Sequence, residues 1–415
     1  MYNFDKKFVL SPLMKLVCSI GFISVFCDVI SQGSATTCMR AISILPSKFE
    51  KALLSAVKHP YNSHPALPRF ILCGRTKKSS ITLMQAWVCG KPMRALVRKT
   101  LAYLTARTCL TFVENATATN RVRVFRGDGC YSYVGMIGGV QDLSLADGCN
   151  TMGIVAHEFM HALGIFHMQS RHDRDSFITL DLINVPEASK HNYNKLTAAE
   201  SVNYTPYEYG SVMHYDAQSF ATTGNSMKPK NAKYLRTMGS QMISFHDISM
   251  INFHYKSLCA TKGAACVNGG KRNPKNCNAC ICPAGYGGAL CSLRPAGCGA
   301  VLTAAATWKS KKVILGNATN PNLRDTYALC NDWIKAPAGK KVQVQVTVMK
   351  NVICLNGCWT QGIEFKTLAA KAITNPRSCC AGQLKQVITS NLNPTPVINY
   401  NLYQQSEITY LYRYI

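Results

Sequence analysis

His157-Glu158-Phe159-Met160-His161-Ala162-Leu163-Gly164-Ile165-Phe166-His167 is the stretch on which the reading of this chain turns. Residues four apart share one face of an α-helix, so His157 and His161 can offer their imidazoles to a single ion. Gly164 can end that helix in a left-handed conformation, turning the chain so that His167 arrives from another direction. Three nitrogen ligands leave coordination positions open for water, which is how a catalytic zinc site is built. Zinc lowers the pKa of such a water to about 7 and polarises a peptide carbonyl. Glu158, beside the first ligand, is placed to take the water's proton and pass it to a leaving amine. The alternative, a structural zinc site, needs a fourth ligand; Tyr215 and His172 are the nearby candidates, and no cysteine stands at finger-like spacing.

Working outward, Ser211-Val212-Met213-His214-Tyr215 supplies a second element. In zinc proteases with the extended histidine motif, a methionine-bearing turn forms an apolar floor beneath the metal, and Met213 follows His167 at the expected spacing. Upstream, Met93, Leu96, Val97, Leu101 and Leu104 recur at helical spacing after Pro92, a first-turn proline. Val122 and Val124 alternate with arginines as in a half-buried strand. Val140 to Leu145 alternates more loosely and ends at the turn-prone Asp147-Gly148. Residues 79–259 therefore read as a mixed α and β domain.

The rest of the chain has a different texture. Of 415 residues, 47% are hydrophobic and 16% charged, which excludes wholesale disorder, and the length allows two or three domains. Twenty cysteines are too many for a reducing cytosol, and their crowding after Cys259 implies disulfide-stapled modules. From Cys266 to Cys291 the spacing C-x10-C-x2-C-x-C-x8-C marks a segment too short to stand without them. From Cys298 onward the pattern is all-β, with Val342, Val344, Val346 and Val348 on one strand face. At the other end, Lys6 and Lys7 precede an apolar run from Phe8 to Ile30, followed by Gly33-Ser34-Ala35. This reads as a signal peptide over 1–35, with an uncleaved anchor as the alternative. Residues 36–78 read as a pro-segment or irregular region. Sequons at Asn115, Asn203 and Asn317 fit a secreted glycoprotein. The net charge of +26 reads as a solvated cationic surface, with acidic partners such as extracellular matrix or cell-surface components as the alternative. The basic residues are scattered, without the aromatic interleaving of a nucleic-acid binder.

Taken together, His157 through Arg171, Asp173, Arg174 and Asp175, with Ser211 to Tyr215, resemble the astacin family of metzincins. Gly127-Asp128-Gly129-Cys130-Tyr131-Ser132-Tyr133-Val134-Gly135, Leu143-Ser144-Leu145 and Ile243-Ser244-Phe245 with Asp247 are similar to other astacin segments. The resemblance implies an α+β zincin-like protease domain over 79–259, with a twisted mixed sheet and an active-site helix. An EGF-like module over 260–292 and an all-β CUB-like sandwich over 298–415 would follow, the latter with Cys354, Cys358, Trp359 and Cys379-Cys380. This order resembles the nematode branch of the family. The implied activity is a secreted zinc endopeptidase acting on extended polypeptides, with one zinc on His157, His161 and His167, Glu158 as general base and Met213 in the Met-turn. Tyr215 would be a further ligand that swings out to stabilise the tetrahedral intermediate. Val140–Leu145 would form the sheet edge that receives substrate. Cys109 would pair with Cys259, and Cys130 with Cys149. Arg171, Asp173, Arg174 and Asp175 would be buried ion pairs, and His172 and His214 bystanders.

The chain also departs from the family pattern. Met168 stands where the family has a glutamate that receives the new amino terminus after propeptide cleavage. Residues 36–78 lack the Phe-x-Gly-Asp segment of zymogens, and Phe125-Arg126-Gly127-Asp128 matches it only by coincidence. These losses fit an enzyme that has abandoned the terminus-to-glutamate lock; relaxed constraint on a protein losing its activity is the competing explanation. The alternative function is therefore an inactive secreted homologue that binds protein or glycan. Cysteine parity leaves Cys89 available, and the segment 266–291 holds five cysteines unless it borrows Cys259.

Overall fold

Residues 80–84, 91–256, 259, 263–320 and 322–415 are described in a computed structural model of the chain. The signal-peptide and pro-segment readings fall outside them. The apolar face that starts at Met93 builds helix α1 (Lys91–Thr105), whose Leu96, Val97, Leu101 and Leu104 are all buried. The helix covers a five-stranded sheet of β1 (Ser80–Met84), β2 (Thr111–Glu114), β3 (Arg121–Phe125), β4 (Cys130–Ser132) and β5 (Val140–Leu145). Their order is β2-β1-β3-β5-β4; the first four are mutually parallel and β4 runs antiparallel to β5. Val122 and Val124 point into the core while the arginines between them stay half-exposed, as the alternation predicts.

This order corrects one expectation. Val140–Leu145 is an interior strand, flanked by β3 and β4, and the edge on that side is the three-residue β4. Gln141, Leu143, Ser144 and Leu145 are buried accordingly. Helix α2 (Met152–Ala162) packs under the sheet, with Phe159 edge-on to Phe112 at 6.1 Å. A small hairpin-like pair, β6 (Ile178–Leu180) and β7 (Met227–Pro229), and helix α3 (Phe245–His254) complete this layer.

Next comes a two-stranded unit, β8 (Lys271–Asn273) with β9 (Asn276–Ile281), held by Cys259–Cys277, Cys266–Cys280 and Cys282–Cys291. The expected Cys109–Cys259 bridge is therefore absent. Cys259 closes a local loop with Cys277, and Cys109 is disulfide-bonded elsewhere. The loop is short, and short closures carry the smaller entropic cost. The module thus begins at Cys259, not at residue 260.

The C-terminal region is a sandwich of two sheets. One is β10 (Val301–Thr303), β12 (Leu323–Lys335), β17 (Thr395–Tyr403), β14 (Gln361–Phe365) and β15 (Arg377–Ser378), in that order. The other is β11 (Lys309–Gly316), β18 (Gln405–Tyr414), β13 (Val342–Lys350) and β16 (Ile388–Thr389). Val313, Val344, Val346, Ile363, Phe365, Val397 and Tyr410 fill the space between them. Val342, Val344 and Val346 share the buried face, but a register shift against β18 between Val346 and Val348 rotates Val348 out to half-exposure. One extra residue inverts the period-two pattern beyond it. Cys298–Cys330, Cys354–Cys380 and Cys358–Cys379 staple the sandwich.

Non-reducing peptide mapping should recover Cys259 joined to Cys277 and Cys130 joined to Cys149. A peptide joining Cys109 to Cys259 would contradict this fold.

Candidate metal centre

Helix α2 is anchored at both ends by its sequence. Thr151 caps the N-terminus, accepting from Ile154 N at 3.3 Å, and its hydroxyl meets the Gln241 side chain at 2.8 Å. At the other end Gly164 takes φ +90°, Gly164 N donates to His161 O at 2.8 Å, and Ile165 N donates to Met160 O at 2.9 Å. This paired closure satisfies the last carbonyls and requires a residue tolerant of positive φ. The turn then delivers His167 to the face already occupied by His157 and His161.

The three imidazoles converge. Nε2 of His161 and His167 lie 3.0 Å apart, and Nε2 of His167 and His157 lie 3.3 Å apart. The far nitrogens are engaged: His157 Nδ1 lies 2.8 Å from Val212 O, and His161 Nδ1 lies 2.9 Å from Ile165 O. A carbonyl only accepts, so each Nδ1 carries the proton and each Nε2 presents a lone pair. Burial holds all three rings below the usual histidine pKa, His161 to about 3, so the neutral ligand form is favoured. Lone pairs this close repel unless a cation sits among them. Two nitrogens at zinc-ligand length in a tetrahedral shell lie about 3.3 Å apart. The donor set fits zinc, and among the described residues no other group of metal-binding side chains joins it.

Glu158 is on the same helix, 4% exposed, with Oε2 lacking a hydrogen-bond partner. Burial raises its carboxyl to about 8, giving it the proton affinity of a general base.

Met213 is fully buried. Its carbonyl accepts from Met168 N at 2.9 Å, tying the turn to the residue after the third ligand. The turn is fixed from behind by Asp247, which is wholly buried and accepts from the Ser211 hydroxyl, from Val212 N at 3.0 Å and from Ser244 N at 2.7 Å. Because the Val212 carbonyl also orients His157, Asp247 acts on the metal site through a single residue. Sequence reading took Asp247 only as part of a family segment. Its signal was Ser244-x-x-Asp247, a capping box at the start of α3.

The remaining candidates fall as follows. The Tyr215 ring stands 4.5 Å from the His167 ring and is half-buried. His214 is held by Tyr207 Oη at 2.8 Å, and His172 lies 2.8 Å from Asn203 Nδ2; neither joins the triad. His172 is thereby unsuited to complete a closed structural site. Arg171 makes a two-point pair with Asp173, and Arg174 meets Asp175 at 3.1 Å. The arginines are buried, but Asp175 is exposed, so only the cationic halves are internal. Met168 is 1% exposed, with Arg171 Nη1 3.8 Å from its sulfur. The Cys130–Cys149 disulfide ties β4 to the loop ahead of α2.

Comparison with known proteins agrees with this geometry. Residues 77–256 match the family model of the astacin peptidases. The chain is 44% identical to the zinc metalloproteinase nas-32 of Caenorhabditis elegans, over 78% of this chain and 50% of that protein. It is 40% identical to zinc metalloproteinase nas-17 of the same organism, over 78% of this chain and 75% of that one. The chain thus spans about half the length of nas-32 and three quarters of nas-17. Among solved structures it is similar to high choriolytic enzyme 1, a hatching enzyme zinc-protease from Oryzias latipes. That likeness has 32% identity and a TM-score of 0.40, over 43% of this chain and 89% of the other. Extended histidine motif, buried methionine turn and likeness to nas-17 over most of its length agree: the chain belongs to the astacin family.

Proposed function

We propose that this chain is a secreted zinc endopeptidase that hydrolyses peptide bonds in extended protein segments. The observation that carries this reading is the convergence of three neutral imidazoles on the same helix and turn as a buried carboxyl, Glu158, whose Oε2 has no hydrogen-bond partner. His157, His161 and His167 would hold one zinc, which supplies Lewis-acid polarisation of the scissile carbonyl and acidifies the attacking water. Glu158 takes the proton of that water and delivers it to the departing amine. Tyr215, whose ring lies beside that of His167, would donate a hydrogen bond from its phenol to the oxygen that becomes negative. Substrate adds as a strand along β4, whose outer side has no neighbour in the sheet among the described residues. Gly135 N donates to His161 O at 2.8 Å, which keeps that edge in step with the ligand helix.

The C-terminal parts carry other duties in this reading. First-to-third, second-to-fourth and fifth-to-sixth pairing from Cys259 to Cys291 supports an EGF-like module, and the stapled sandwich from Cys298 supports a CUB-like domain. The disulfides support an extracellular setting. Extended polypeptides are the substrates, with acidic matrix or surface components as further partners of the +26 chain. The close packing of Met168 against Arg171 supports loss of the terminus-to-glutamate lock.

Purified protein given a peptide library should cleave it, lose cleavage with a chelator and regain it with zinc. Glu158→Ala should lower kcat by roughly 10²–10⁴-fold while retaining bound zinc. An inactive wild-type chain with full zinc would instead favour the non-catalytic binding homologue. Tyr215→Phe should reduce kcat by about 10²-fold with little change in KM. Met168→Glu should leave kcat/KM nearly unchanged, and a large gain would show that the lock still operates.

A further inference from the structure

A tethered binding module needs only a linker, yet the C-terminal sandwich is fitted against the loops that carry the Met-turn. Gly210, one residue before Ser211, has no room for a side chain, because a Cβ there would lie 2.5 Å from Thr374 Cγ2 of the sandwich. Gly357 of the sandwich is equally confined, its Cβ position colliding with Gly239 O. Each domain thus contributes a glycine to the contact, Gly210 facing the Thr374 side chain and Gly357 the Gly239 backbone.

The polar contacts are as specific. Glu208 is wholly buried; its carboxylate accepts from Gly210 N at 3.1 Å in its own loop and from Thr374 N at 3.1 Å in the sandwich. Arg377 of β15 donates through its backbone N to Thr237 Oγ1 at 3.0 Å and through its guanidinium to Ser240 Oγ, and its Nη2 lies 3.5 Å from Met242 Sδ. Behind it, Glu364 pairs with Arg377 at 3.2 Å and with Lys366 at 3.6 Å, all three nearly solvent-free. Lys366 also faces Glu208 electrostatically and opposes the rise that burial imposes on its carboxyl. A buried carboxylate without such partners is costly, so the protease domain's Glu208 is completed by the sandwich.

These contacts bracket the brace of the metal site. Glu208 lies three residues before Ser211, and Met242 lies two before Ser244. Ser211 and Ser244 are two of the groups that bind Asp247, which also holds Val212 and so orients His157. We propose that the C-terminal sandwich is part of the catalytic unit. Thr374 and Arg377 clamp the two loops that present Ser211 and Asp247, making Glu208 and Arg377 positioning residues for the Met-turn and His157. The inference rests on the zinc-peptidase reading for its kinetic consequence, but not for its structural one.

The test uses the full chain with a wedge on the sandwich side, Thr374→Trp, and a deletion on the protease side, Glu208→Ala. Thr374→Ser, which keeps the N–H and a small side chain, is the conservative control. Hydrogen exchange should quicken at Val212 and Met213 in both variants while the amides of Val342–Val346 stay protected. Zinc release to a chelator should speed by about tenfold or more. The loss in kcat should exceed any change in KM, and Thr374→Ser should behave as wild type. The proposal is overturned if either variant, with its sandwich core protected, retains wild-type exchange at the Met-turn and wild-type zinc release. Should the wild-type chain cleave no peptide, the function reading fails alone, since exchange and zinc release still decide the clamp.

Discussion

One buried carboxylate underlies the arrangement of the site. Asp247, wholly buried, gathers the Ser211 hydroxyl and the backbone N–H groups of Val212 and Ser244. Burial alone would push its proton affinity up, and the hydrogen bonds donated to it act the other way. Each such bond in a desolvated setting is costly to break, because the orphaned partner has no solvent to turn to. The Met-turn is therefore pinned to the start of α3. The Val212 carbonyl inherits a fixed direction from it, and His157 takes its tautomer from that carbonyl.

The ligand helix is constrained by different means. Its start is pressed against residue 241, where a side chain on Gly153 would collide with Gln241 O. Its end is closed by the glycine turn at Gly164. Between these two fixed points the 3.6-residue period decides where His157 and His161 point. The metal centre is thus assembled from elements each rigid for its own reason, as a preorganised site must be.

Much of this was written in local pattern. The i, i+4 histidines, the glycine turn and the apolar stripe of α1 were legible because each depends on one periodicity. What escaped were features set by long-range pairing. The three-residue β4 is too short to show a pattern, so the longer alternation of Val140–Leu145 was read as the edge. The displaced Val348 depends on a bulge that only the partner strand reveals. The family resemblance implies Cys109 as the partner of Cys259, and the bond is instead the local one to Cys277. Glu208 carried no sequence signal, since its meaning comes from Thr374 in another domain.

The brevity of β4 has a consequence of its own. An open sheet border invites neighbouring molecules to stack onto it, and proteins blunt the hazard by keeping such borders short or twisted. Three residues, tethered at Cys130 to Cys149, offer a few main-chain donors and acceptors to a passing chain. That is enough to grip a brief unfolded stretch in transit, and too little to template an amyloid-like stack of copies.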